Sequence, residues 1–488
     1  MTRVYTLILL SILSFNTVYS QQDNTLFFMH ELPQANFVNP AVSSTCKLFI
    51  GMPALSSIAA NYSNTAFTVR DVLTTRNGSN LLYFNPDKIV SKARGKELIT
   101  SDIDVTLLTM GLHVNKYYLT FSVNEKARTY NMITADAMQL GWQGNTQFRG
   151  RQATADGIRI NGNGYHEFAF GASKTIKPKW RVGLRAKILF GLANVYTSKT
   201  NGYLFTDNNT YNLNFFIDSK INTSLPIEQV ITDKDGKVTD LVFREDYKAK
   251  DLLFNFRNFG LGVDLGFIHP FNENTILSGS LLDIGTIFWK KDINKFQTNG
   301  SMTYSGLGPN SGFTSFEQLT DSLINIVTPY HDTISTSFSS PLVPKLYIGV
   351  THKIHDHINA GVLIRTELYR NRLHPSLTIS ANTINYKILS ASVSYTLQNG
   401  EFTNIGAGVG VKAGPVQLHL ISDNIPGLFM LDNTRNVNIR FGLSFVPRCN
   451  KRFDPFSFSE QGAIPCNFDY KPKYKTVPSQ KNKKRRKL

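Results

Sequence analysis

Apolar and polar residues alternate one by one through much of the chain, in segments of about 9 to 12 residues, the period of a strand whose two faces meet different surroundings. Between Asp104 and Val114, the residues Thr106, Leu108, Met110, Leu112 and Val114 fall on one face. After an Asn115-Lys116 turn, Tyr117, Leu119, Phe121 and Val123 alternate with Tyr118, Thr120, Ser122 and Asn124. Trp180, Val182, Leu184, Ala186 and Ile188 then alternate with Arg181, Gly183, Arg185, Lys187 and Leu189. Further segments of the same kind run through Phe259–Phe267, Leu346–Val350, Ile358–Ile364, Leu389–Tyr395, Ile405–Val411 and Val437–Phe445. The pattern predicts an all-β protein with one apolar face per strand and a partner face of Gly, Ser, Asn, Lys or Arg.

A soluble sandwich alternates too, so three further features decide the architecture. The segments have the length of tilted strands crossing a bilayer, about 9 to 11 residues. Trp142, Trp180, Trp289, Tyr117, Phe267 and Phe445 lie near strand ends, where aromatic girdles belong. Counted back from a last strand over Asn436–Val446, every connection on one side is short: 412–415, 382–386, 354–357, 269–274, 177–179 and 115–116. Those on the other side, 127–163, 192–255 and 290–343, are long, as the turn and loop asymmetry of outer-membrane barrels requires.

The expected fold is a transmembrane antiparallel β-barrel of about 14 strands, the first near Ser56–Val69. The count becomes about 16 if Tyr203–Thr206 and Tyr211–Ile217 form a hairpin that reaches the membrane. The expected organisation is a signal peptide at 1–20, a periplasmic N-terminal plug segment at 21–50, the barrel at 51–446 and a basic periplasmic tail at 447–488. Arg3, the apolar run Val4–Leu13 and the small-residue site Val18-Tyr19-Ser20 compose the signal. Apart from that run nothing approaches the length of a membrane helix.

Composition changes the picture mainly through its distribution. The 488 residues carry 52 Lys and Arg against 35 Asp and Glu, a formal +17. Nine of the cations stand against Asp469 alone between Asn467 and Leu488, so a disordered tail holds eight of the seventeen charges. A basic tail beside a secretory signal reads either as a solvated disordered extension or as a dock for a periplasmic protein or cell-wall partner, with no role for nucleic acid. Cys449 and Cys466 are spaced to close a loop contributing about 3 kcal/mol and leaving Cys46 free; three unpaired thiols is the other reading.

Several stretches carry a resemblance: residues 28–41, ending in Asn39-Pro40-Ala41; Tyr165-His166-Glu167; Gly191-Leu192-Ala193-Asn194-Val195; and Gly414-Pro415-Val416-Gln417-Leu418 with Ser422-Asp423-Asn424. Together they resemble an uncharacterised Bacteroidetes outer-membrane barrel family over almost the whole mature chain. The Asn-Pro-Ala element is similar to the N-terminal hatch of the fatty-acid-channel barrels, and there is a looser similarity to membrane proteins accompanying type IX secretion. The resemblance implies the outer membrane and its lipid as surroundings. It implies either passage of small hydrophobic or anionic solutes or a non-transporting scaffold in a secretion or surface complex.

The candidate lumen-lining residues are Glu167, Arg181, Arg185, Lys187, Asp264, Arg365, Glu367 and Arg440, with Arg159, Arg257, Lys345, Lys412 and Asp283 on the same faces. Asn39, Pro40 and Ala41 form the candidate plug motif. Charges in a barrel can select solutes or pair into a filling network. His352, His355 and His357 straddle a turn with no nearby Cys or Glu to complete a metal site. Neither a nucleophile elbow nor a phosphate loop stands out, so no enzyme activity, cofactor or metal is expected.

Overall fold

The computed structural model describes residues 23–447 except 76–81, 178–179, 245–255, 307–314, 333–335, 385, 387 and 399–400. The proposed signal peptide and basic tail lie outside the described residues. Fourteen antiparallel strands close into a ring. In chain order they are β1, in two pieces at Leu48–Gly51 and Ser57–Asn64, then β2 (Lys96–Val114), β3 (Tyr117–Thr134), β4 (Arg159–Lys177), β5 (Trp180–Thr206), β6 (Phe259–Asn272) and β7 (Thr275–Trp289). They continue as β8 (Lys345–His355), β9 (Ile358–Tyr369), β10 (Arg372–Thr383), β11 (Leu389–Gln398), β12 (Glu401–Ala413), β13 (Val416–Ser422) and β14 (Asn436–Phe445). Each pairs with the next, and β14 returns to β1 through Ile50↔Phe445 and Ile58↔Phe441.

The alternation reads through to the surface. Leu184, Leu261, Leu265, Ile348, Val362, Ile364, Val393 and Leu418 stand exposed on the outside, forming an apolar belt that suits hydrocarbon. Their neighbours along each strand face in. A bulge in β2 at Leu107, where Thr106 and Leu108 oppose Asn124 and Val123, reverses the parity. Thr106, expected beside Met110 and Leu112, therefore points inward with Asp102 and Asp104.

Several strands run beyond bilayer length. β5 has 27 residues, and its far half pairs with Leu213–Ser224, which pairs in turn with Ile293–Tyr304. Ladder pairing satisfies the backbone in water as well as in lipid, so strands need not stop at the membrane edge. The Tyr203/Tyr211 hairpin belongs to this projecting sheet, and the ring closes at 14 without it. The parts of 127–163 and 192–255 expected as loop that adjoin β3, β4 and β5 are strand. One long-loop-side connection is a tight turn through Arg370 and Asn371, whose φ values of 50° and 60° suit a two-residue hairpin.

Of the expected girdle residues, Trp180 stacks on His269 at 4.2 Å between ring centres at the short-turn end. Trp289 is instead fully buried, its indole N–H donating to Ser340 at 2.8 Å. Trp142 lies on a helix, Ala135–Gln143, in the connection at the other end, packed on Phe84.

Candidate functional site: the charged interior and the segment within it

Residues 23–46 add no strand to the ring; they run inside it. A short helix α1 (Asn24–Phe28) and a 3₁₀ turn begun by Pro33 carry Leu26, Phe27, Phe28, Met29 and Leu32, all buried, into one cluster with Ile276, Tyr347, Leu363 and Ile421 of the wall. Each such buried side chain contributes about 1.5 to 3 kcal/mol. Asp423 holds the start of α1 by accepting from the backbone N–H of Asn24 at 3.1 Å and Thr25 at 2.8 Å.

Asn39, Pro40 and Ala41 lie where β5 and β6 meet. The Asn39 carboxamide accepts from Ala41 N–H at 2.9 Å, closing an Asx turn, and donates to the Phe267 carbonyl at 3.2 Å. Gly183 and Gly266 are register partners beneath them, and a Cβ on either would overlap Asn39, Pro40 or Ala41. Gly408 and Gly410 likewise leave room for Met29 and Leu32. These glycines allow the inner segment to approach the wall backbone.

The charged candidates converge on one side of the interior. Lys187 bonds Asp264 at 2.7 Å and Asp283 at 2.6 Å and lies 3.5 Å from Glu167. Glu167 also takes Lys126 at 2.9 Å, and Arg185 takes Asp264 at 3.1 Å. Arg365 bonds Glu367 at 2.6 Å while lying 5.0 Å over the Tyr347 ring, and Lys345 bridges Glu367 and Asp283 at about 4 Å. Arg128 holds Asp104 at 3.2 Å. Arg440 grips Asp23 of the inner segment and donates to Ser57. Lys126, Arg128, Arg185, Lys187, Lys345, Arg365 and Arg440 thus face Asp23, Asp102, Asp104, Glu167, Asp264, Asp283 and Glu367, and the formal charges cancel. Buried charges that pair in this way fill and order an interior. The remaining cavity among them is about 50 Å³, room for a few waters.

Arg181 lies apart from this network and donates to Ser43 of the inner segment at 2.7 Å. Arg257 is exposed at the start of β6, outside the cluster. Sequence reasoning missed Asp23, Asp102, Asp104, Lys126 and Arg128. The signal for two of them was present: Asn124, Lys126 and Arg128 continue the inward parity of Tyr118, Thr120 and Ser122.

Cys46 is disulfide-bonded, which overturns both cysteine readings. Cys46 packs against Phe49 and Val446; Cys449 and Cys466, the chain's other two cysteines, lie outside the described residues. His352 bonds Thr275, and the rings of His355 and His357 lie tilted to each other, 6.0 Å between centres, at the 356–357 turn. Among the described residues no group of three His, Cys, Asp or Glu side chains is placed to hold a metal.

Ring and inner segment together define a 14-stranded barrel with an occupied lumen. The chain belongs to DUF5723, a family of unknown function whose profile matches residues 40–423. No curated protein matches it. Among solved structures it is similar to the Ralstonia pickettii toluene transporter TbuX, at 10% identity over 87% of this chain and 94% of that one, with a TM-score of 0.37. It is also similar to a Pseudomonas aeruginosa FadL homologue (10%, 88% and 99%, TM-score 0.36) and to the P. putida toluene transporter TodX (8%, 86% and 94%, TM-score 0.34).

Proposed function

We propose that the protein is a gated outer-membrane channel for small or hydrophobic solutes, closed in this conformation by residues 23–46 acting as a plug. The observation that carries this reading is that the inner segment is held by side-chain contacts and caps and shares no ladder with the ring, so it can shift without opening the barrel wall. The apolar belt supports a barrel seated in a bilayer, and the asymmetry of such barrels supports a short-turn end that faces the periplasm. The charged interior candidates then line the path a solute takes once the plug has moved, and the basic tail reaches into the periplasm.

The test is conductance of the full chain in planar bilayers, with the plug pinned by a Val38→Cys/Ser280→Cys pair, chosen because Ser280 donates to the Val38 carbonyl. Flux that disappears on oxidation and returns on reduction, with wild type unchanged by the same treatment, supports the channel. Equal flux in both states sinks it.

A second reading is favoured by the sheet built on β5 beyond the ring, a projecting platform that solute passage does not need. It suits a scaffold in a secretion or surface complex, and a near-stoichiometric partner in native purification, lost when that sheet is removed, would establish it.

A further inference from the structure

The ladder between β1 and β14 carries a long excursion. Between Gly51, opposite Ser444, and Ile58, opposite Phe441, β1 spends seven residue steps where β14 spends three. The surplus, Met52–Leu55, swings outward from the ring. It is fixed there by three backbone bonds: Met52 N–H to the Leu443 carbonyl at 3.0 Å, Leu443 N–H to the Leu55 carbonyl at 2.8 Å and Ala54 N–H to the Leu107 carbonyl at 2.9 Å. Ala54 is left-handed, with φ 58°, a conformation that costs a non-glycine residue and persists only where the surroundings impose it. The excursion is therefore a built projection, and its exposed residues, Met52 and Leu55, are apolar.

Beside it lies a groove of about 570 Å³ on the outer face, walled by Leu55, Val409, Leu418, Leu420 and Phe441. Gly442 also lines it, and a Cβ there would strike the Ser56 carbonyl and the His419 ring. A barrel wall is convex and gives a hydrocarbon chain one side to lie against. Here the excursion supplies a second side, and a concave apolar site holds a chain that a convex one lets slide.

We propose that this groove seats one acyl chain of a glycerophospholipid from the leaflet at the short-turn end of the barrel. The inference rests on the outer-membrane reading, since the groove is continuous with the apolar belt. Its lining holds no Lys, Arg, Asp or Glu, and its one imidazole, His419, is buried on the inward-facing side of β13, so no side chain on the groove's outer face matches the carboxylate of a free fatty acid. A chain whose charged head lies elsewhere fits, and Val411 and Leu418 lead the groove toward the Gly414-Pro415 turn, where a headgroup meets water.

The full chain is reconstituted in phosphatidylethanolamine and phosphatidylglycerol vesicles doped with a phosphatidylcholine carrying a diazirine on its acyl chain, and labelled peptides are mapped after irradiation. Labelling concentrated on 405–420 and 437–445 over a stretch of wall away from the groove, 346–364, is expected. Leu418→Trp, which fills the groove from an outward position, lowers it about tenfold, the equivalent of about 1.4 kcal/mol, while labelling at 346–364 stays the same. Leu55→Ala, which removes a side of the groove, lowers it in the same direction; retained heat-modifiable migration on gels shows that both variants fold. Uniform labelling around the belt, or undiminished labelling in Leu418→Trp, overturns the proposal. So does stronger labelling of the same peptides by a diazirine free fatty acid than by the phospholipid. Failure of the membrane reading has a different signature: absence of the protein from the outer-membrane fraction and no labelling on either wall.

Discussion

Arg440 of the last strand grips Asp23 with two parallel bonds, Nε to Oδ1 at 2.7 Å and Nη2 to Oδ2 at 2.8 Å. This fork joins the start of the inner segment to the strand that closes the ring, and both groups lie within the charged cluster. Removing one partner of a buried pair leaves the other without compensation, at about 3 to 5 kcal/mol. Asp23→Ala is expected to lower the thermal midpoint and to expose residues 24–35 to amide exchange, whereas Asp23→Glu retains much of the hold. Unchanged exchange at Leu26 and Phe27 in Asp23→Ala would show that the apolar cluster alone secures the plug.

The paired glycines beneath Pro40 give a second prediction. Gly183→Val has no room for its side chain without displacing the Asn39-Pro40-Ala41 turn, and raised bilayer conductance together with a faster-exchanging plug is the expected result. Gly162→Ala serves as the control, since a Cβ there has only ordinary contact with Thr129.

Two plug groups give the third, through pH. Burial pushes the Glu31 carboxyl up from 4.5 to about 8, against a hydrogen bond from Ser390. Burial also pushes the His30 imidazole down from 6.5 to about 4, against its bond to the Phe27 backbone. Between pH 4.5 and 6.5 the folded chain holds a proton on Glu31 and the unfolded chain holds one on His30, so these two contributions cancel. From 6.5 to about 8 the folded state alone is protonated, and stability falls as pH rises. Thermal midpoints should therefore drop between pH 6.5 and 8.5 in the wild type. In Glu31→Gln that drop disappears and the rise from about pH 4 to 6.5 due to His30 remains. A wild-type curve flat above pH 6.5 would refute the assignment.

The fourth concerns Cys46. Peptide mapping without reduction should find it linked to Cys449 or Cys466, and Cys46→Ser should cost about 2 to 5 kcal/mol, within the range for removing a native disulfide. Recovery of Cys46 as a free thiol would contradict the structure.

Lys187 supplies the last. It serves Asp264, Asp283 and Glu167 together, so Lys187→Met leaves three buried carboxylates short of a shared cation. Loss of about 3 kcal/mol or more is expected, since breaking a buried pair is costly, read as a lowered midpoint in heat-modifiability assays. A variant as stable as the wild type would mean that Lys126 and Lys345 suffice.

The barrel was legible in the sequence because a strand with lipid on one side and protein or water on the other must alternate residue by residue, and Leu184/Arg185/Ala186/Lys187 does so without interruption. Turn lengths added the parity, and the inward charges followed from the alternate positions. The tertiary structure decided what distance and register control. The bulge at Leu107 flips Asp102 and Asp104 inward, an effect that residue order does not announce. The extension of β5 past the membrane depends on its pairing with Leu213–Ser224. The pairing of Cys46 depends on where distant chain ends meet. Above all, Asp23 is an unremarkable acid in the sequence; only the folded chain brings it to Arg440, 417 positions away, where a buried guanidinium requires a counter-charge.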